Sequence, residues 1–196
     1  RHPTKETLLK YKNLVFKTAD FMASFAHYDS SDHYYHLCHP LIPAQEIFKA
    51  DSTDDPAFEL AYWYYALSVA QKWREYLHLP INKKWQDVID HLAPLPVSND
   101  KYIPNANVPD AYSNNFYRRD HPIVMGILGM LPKTKMVDKK IMNNTFDEVM
   151  GRWDWPSTWG WDYPMIAMTA ARLGRPEDAV NALLMNVQKN TYLPNG

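Results

Sequence analysis

Between residues 4 and 27 the apolar positions Leu8, Tyr11, Leu14, Val15, Met22 and Phe25 recur at steps of three and four, with Thr4 placed to cap the start. This predicts one long amphipathic helix. Asp55-Pro56 reads as a cap followed by a first-turn proline, and residues 57–77 then carry Phe58, Leu60, Ala61, Trp63, Tyr64, Tyr65, Leu67 and Val69 with no wholly polar face. Such a helix is expected to be buried on most sides. A shorter helix over 82–93 has Trp85, Val88, Ile89 and Leu92 on one face and is stopped by Pro94 and Pro96.

Four more helices are expected over 121–131, 138–151, 157–173 and 176–189, the third with a kink at Pro164 and the last opened by Gly174-Arg-Pro-Glu-Asp178. Residues 94–119 have turn-like Pro, Asn and Asp content and no helical period, so they form a long loop of the kind kept for function. Extended pieces are confined to 34–41 and 101–104. The segment from Ala170 to Leu183 reads as the turn of a helical hairpin, but it does not recur at a fixed period, which sets aside a solenoid. The predicted fold class is all-α.

Composition narrows the partners. A formal net charge of −1 without any Lys/Arg block argues against nucleic acid or an anionic membrane as the main partner. No apolar run is long enough for a membrane span. The single cysteine, Cys38, excludes an internal disulfide.

The densest chemistry is Trp153-Asp-Trp-Pro-Ser-Thr-Trp-Gly-Trp-Asp162, four tryptophans and two aspartates in ten residues. Flat apolar rings beside carboxylates are what a sugar site needs: a face for the ring and acceptors for its hydroxyls. The plain structural alternative is that these indoles plug the top of a helical core. Asp120, Asp154 and Asp162 are each candidate hydroxyl ligands, and each is equally well placed to cap a helix.

Two segments carry a family resemblance. The first is Tyr11-Lys-Asn-Leu-Val-Phe-Lys-Thr-Ala-Asp-Phe21, then Tyr34-Tyr-His-Leu-Cys-His-Pro-Leu-Ile-Pro-Ala-Gln-Glu46, then a new helix after Asp55-Pro56. The second is His121-Pro-Ile-Val-Met-Gly-Ile-Leu-Gly-Met-Leu-Pro132, Trp159-Gly-Trp-Asp-Tyr-Pro164 and Ala170-Ala-Arg-Leu-Gly-Arg-Pro-Glu-Asp-Ala179. In order and spacing they resemble the six-hairpin glycosidases, the (α/α)6 toroid of the family 95 α-L-fucosidases and, more distantly, the family 65 sugar phosphorylases.

The resemblance implies a glycoside hydrolase acting with inversion, with no cofactor or metal. Pro43-Ala-Gln-Glu46 falls where that family carries its general acid, so Glu46 is the implied acid, and Ile42, Ile47 and Phe48 are expected to shield it from water. Asp120 is the second candidate catalytic carboxylate. Trp153, Trp159, Trp161, Asp162 and His121 are the implied substrate-binding residues. A full toroid has twelve helices, and seven are expected here, so residues 1–196 are read as part of one helical catalytic domain. The general base would lie outside them. The implied partners are an oligosaccharide or glycoside substrate and the remainder of the same polypeptide, with apolar surface exposed where neighbours are missing. A secreted or periplasmic location follows from the resemblance alone. A phosphorylase on the same fold is the enzymatic alternative, weakened because no basic cluster for phosphate is visible along the chain. A non-catalytic glycan- or protein-binding helical module is the other.

His27, His33, His36, His39 and Cys38 crowd one stretch, but their spacing matches no metal motif, and an extended chain would split them between two faces. They are read as a polar loop lining a cleft. Asn143-Asn-Thr145 has the form of a glycosylation acceptor and falls inside a predicted helix, so it is taken as chance.

Overall fold

The computed structural model describes residues 3–193, and it is helix-rich. Helix α1 (Lys5–Phe25) starts where predicted, with the Thr4 hydroxyl accepting the Thr7 N–H at 3.2 Å. It buries a narrower seam than its apolar pattern suggests: Leu8, Ala19, Met22 and Ala23 are inside, whereas Tyr11, Leu14 and Phe21 stay exposed. The two small alanines on that seam let helix α2 (Ala57–Tyr76) pack closely, and the Trp63 indole donates to the Met22 carbonyl at 3.0 Å. Helix α3 (Lys83–His91) is capped by Asn82, whose side chain accepts from the Lys84 and Trp85 amides.

Asp55 does not cap α2 as expected. Its backbone is left-handed, at φ 45°, and its carboxylate turns back to accept the Leu37 N–H at 2.8 Å and to meet the His36 ring at 2.6 Å. That ties down a hairpin of β1 (His27–Asp29) and β2 (Tyr34–His36), paired with Tyr28 opposite Tyr35. A second small hairpin, β3 (Val97–Ser98) with β4 (Lys101–Tyr102), punctuates the expected long loop.

The 121–131 segment is a 3-10 turn, Ile123–Met125, running into a four-residue helix α4 (Gly126–Gly129), shorter than predicted. The two glycines are weak helix formers, which keeps this helix short. Both glycines serve packing. A Cβ on Gly129 would run into the Met165 carbonyl of helix α6 (Asp162–Leu173), and one on Gly126 would touch Phe58 of α2. The carbonyls of Leu128, Gly129 and Leu131 at the end of α4 all accept from the Arg172 guanidinium.

Helix α5 (Lys139–Arg152) is capped by Asp138 and holds Thr145 fully buried. The predicted 157–173 helix breaks into a 3-10 turn, Trp155–Ser157, and α6, so Pro164 lies in the first turn of a helix rather than at a kink. Gly174, left-handed at φ 83°, ends α6, and helix α7 (Pro176–Leu183) folds back on it, forming the predicted hairpin. Leu60, Leu67, Trp85, Met125, Ile127, Met142, Phe146 and Ile166 lie within one continuous core. On α7, Val180 and Leu183 remain exposed. No helix among the described residues is long and apolar enough to cross a membrane.

Candidate functional site

Asp120 organises the site. Its backbone is left-handed, at φ 63°, a conformation that a bare aspartate tolerates better than a branched residue. The conformation is held from both sides: the Asp120 N–H donates to the Ser157 hydroxyl at 2.9 Å, and its carbonyl accepts the Trp153 indole N–H at 2.9 Å. The carboxylate is then presented to two more donors. Oδ2 accepts the Glu46 backbone N–H at 2.9 Å, and Oδ1 accepts the Trp159 indole N–H at 3.1 Å. A candidate cap in sequence is therefore a bridge between two distant loops.

The Pro43–Glu46 stretch reaches this point because Gln45 is stapled down. Its side chain is buried and donates to the carbonyls of Tyr117 and Arg119, both at 2.9 Å. The chain bends and turns over residues 44–48, with the Phe48 N–H donating to the Gln45 carbonyl, and this leaves Gln45 inside and Glu46 outside. Glu46 is exposed, and so is Ile42, so the apolar shelter expected around the Glu46 carboxyl is not there.

Behind the carboxylate, His121 is buried and its Nδ1 meets both oxygens of Asp162, at 3.0 and 3.2 Å. Asp162 is wholly inaccessible and also accepts the Trp159 backbone N–H at 2.8 Å. The Trp161 ring lies 4.2 Å from the His121 ring at an interplanar angle of 34°, and the Lys189 ammonium sits 5.0 Å from the centre of the Trp159 ring. Trp159 and Trp161 are 52% and 41% exposed, so both keep accessible ring surface.

This sorts the sequence candidates. Asp120 ties the Glu46 backbone to the exposed Trp159 ring, and Trp161 is joined to them through His121, against which its ring packs. Trp153 is 4% exposed and sits in the core, so it supports Asp120 and offers no ring to a ligand, a correction to its expected binding role. Asp162 and His121 are likewise too buried to receive a hydroxyl directly, and act by fixing the two outer tryptophans. Asp154 faces solvent and pairs with Arg119 at 3.5 Å.

Three groups were not singled out in the sequence. Glu59, in the first turn of α2, accepts the Ala44 N–H at 2.7 Å while its other oxygen is buried without a partner. Burial raises its pKa, opposed by the Ala44 hydrogen bond. A carboxyl on an otherwise apolar helix face, between Phe58 and Leu60, was the available signal. Gln45 had none beyond its place beside Glu46. The third group is Arg118, Arg119 and Arg152, which line one cavity although the sequence shows no basic block of that size.

The histidine stretch resolves into pairs. His36 lies between Asp55, at 2.6 Å, and Asp32, at 3.0 Å, and His39 pairs with Asp54 at 2.9 Å. Burial opposes charge on His36, but the two carboxylates outweigh it and raise its pKa. Burial and the neighbouring Asp54 and Asp55 push the Cys38 thiol up, so it is no ready nucleophile. Among the described residues no group of three His, Cys, Asp or Glu side chains is placed to hold a metal ion.

No protein-family model matches the chain, and no curated protein matches it either.

Proposed function

We propose that this chain carries the aromatic and acidic part of a glycoside hydrolase site, its helices being hairpins of an (α/α)6 toroid. One observation carries the reading: a single carboxylate, Asp120, holds the Glu46 backbone and the exposed Trp159 indole side by side. A sugar ring stacked on Trp159 and Trp161 would place its oxygens next to two carboxyl groups.

In this reading Glu46 is the proton donor and Asp120 positions it. Glu46 is exposed, so the stacked substrate must exclude the water around it. Inversion requires a second carboxylate about 6.5–9.5 Å away to activate water, and Asp120, with both oxygens already engaged, is better suited to orienting hydroxyls than to that task.

The test pairs binding with turnover. Titration calorimetry with a panel of neutral and acidic oligosaccharides should detect binding that Trp159→Ala abolishes and Glu46→Gln preserves. This chain alone should bind without turnover, since the base lies outside it in this reading; in a polypeptide extended to include the base, hydrolysis of aryl glycosides should fall at least about 100-fold in Glu46→Gln. No binding from the panel removes the saccharide reading. Undiminished turnover in Glu46→Gln removes Glu46 as the acid.

A second reading, glycan binding without turnover, is favoured by the solvent exposure of Glu46. It predicts binding with no hydrolysis, in the extended polypeptide too, whatever residue stands at 46.

A further inference from the structure

Beside the tryptophan site lies a cavity of about 500 Å³ lined by Asn115, Phe116, Arg118, Arg119, Arg152 and Asp154. Two of its walls are continuous with the site. Arg118 and Arg119 directly precede Asp120, and Arg152 and Asp154 flank Trp153, the residue whose indole holds the Asp120 carbonyl. The Asp154 N–H donates to the Arg118 carbonyl at 2.9 Å, which locks these two pieces of chain together.

The lining carries three guanidinium groups and one carboxylate. Arg119 contacts that carboxylate at 3.5 Å, and Arg152 reaches back to Glu148 at 3.2 Å, a carboxylate already shared with Lys101. Arg118 makes no ion pair among the described residues. Its Nη atoms are held by the Arg152 carbonyl and by Asn115, and its Nε is buried with no acceptor. That Nε is closed off from solvent, so Arg118 contributes its charge, and the half-exposed Arg119 and Arg152 guanidiniums present the accessible donors to an incoming anion. The cavity also offers what a simple ion does not use: a half-exposed Phe116 ring, the Asn115 amide and the Asp154 carboxylate. Its volume falls in the range of small-molecule sites.

We propose that this cavity is a subsite for the oxyanion substituent of an acidic saccharide, a carboxylate or a sulfate ester, with Phe116 against the sugar and Arg118, Arg119 and Arg152 around the charge. The inference rests on the saccharide reading of the neighbouring tryptophan site and specifies its substrate class. The dispersed arginines, invisible as a cluster along the chain, supply the selectivity.

The experiment is titration of the full chain with four probes: a uronate oligosaccharide, a sulfated oligosaccharide, their neutral parent and inorganic phosphate. The wild-type chain is compared with Arg119→Gln/Arg152→Gln, Arg118→Lys and Trp159→Ala. Arg119 and Arg152 side chains are half-exposed, so the double variant should melt as the wild type does. One acidic probe should bind at least about tenfold tighter than the neutral parent, the advantage disappearing in the double variant and shrinking with salt. Arg118→Lys, which keeps the charge and loses the planar fork, should retain part of it. Whichever probe gains identifies the substituent. Equal affinity for acidic and neutral probes, or a preference that survives the double variant, overturns the subsite while leaving the tryptophan reading intact. Phosphate binding with no advantage for either acidic saccharide also overturns it and makes the cavity a co-substrate site. No saccharide binding at all defeats both readings.

Discussion

The indole of Trp159 donates to the carboxylate of Asp120 at 3.1 Å across 39 residues of sequence, and the other oxygen of that carboxylate takes the Glu46 backbone N–H across 74. A single side chain therefore sets the spacing between an aromatic platform and an acidic loop. Disturbing either hydrogen bond from its outer partner should change ligand affinity before it changes stability, because Glu46 and the Trp159 ring are exposed.

Trp159→Phe tests this separation. Phenylalanine retains a flat face but cannot donate to Asp120. Saccharide affinity should fall only a few-fold in Trp159→Phe and by about tenfold or more in Trp159→Ala. Equal losses in the two variants, measured by calorimetry, would mean that the hydrogen bond and not the ring carries binding.

Asp162→Ala should act on stability. The substitution strips His121 Nδ1 and the Trp159 N–H of a buried acceptor. Each orphaned buried group costs about 1–3 kcal/mol, so the melting temperature should drop by several degrees. Asp162→Asn, which preserves one acceptor oxygen, should lose less.

Gly129→Ala should damage the site from a distance. The added methyl would collide with the Met165 carbonyl and force α4 away from α6, whose first residue is Asp162. Overpacking of this kind costs about 1–3 kcal/mol. Thermal denaturation should report the loss, and the near-ultraviolet signal of the tryptophans should shift with it.

Glu59 should give a pH signature. Its carboxyl pKa is raised above the ordinary 4.5 by burial, so its neutral form suits the fold and its stabilising contribution is fully present below the unfolded value. That contribution is lost as pH rises through the raised folded pKa. Glu59→Gln removes the titration, so the variant should gain stability relative to the wild type as pH goes from about 4 to about 7. Urea denaturation at the two pH values measures it; a difference independent of pH would contradict the assignment.

His36 should give a second signature at higher pH. Its folded pKa is raised by Asp55 and Asp32 against the opposing effect of burial, so the stabilisation is fully present below the unfolded value of 6.5. It fades as pH rises through the raised value. Wild-type stability should decline across that window, and His36→Gln should flatten the decline. An unchanged slope in the variant would place the titration elsewhere.

The starts of α1, α3 and α5 were legible in the sequence because capping is local: Thr4, Asn82 and Asp138 each serve amides two or three residues ahead. The turn at Gly174 was legible for the same reason, since only its own backbone had to turn left-handed. The tryptophan cluster could be seen as chemistry, but not which rings face solvent: Trp153 is buried and Trp159 is not, although both read as apolar residues beside a carboxylate. Asp55 and Asp120 looked like caps and became long-range acceptors, because a carboxylate takes whichever donors the fold brings to it. Arg118, Arg119 and Arg152 became a cluster only when the end of α5 was folded against the loop before Asp120. Sequence by itself determined the elements whose causes lie within one turn of chain and singled out the tryptophan and aspartate cluster, whereas Glu46 was named only through the family resemblance. Tertiary structure alone decided burial, pairing and charge neighbourhood, because these depend on contacts between residues tens of positions apart, which no local pattern encodes.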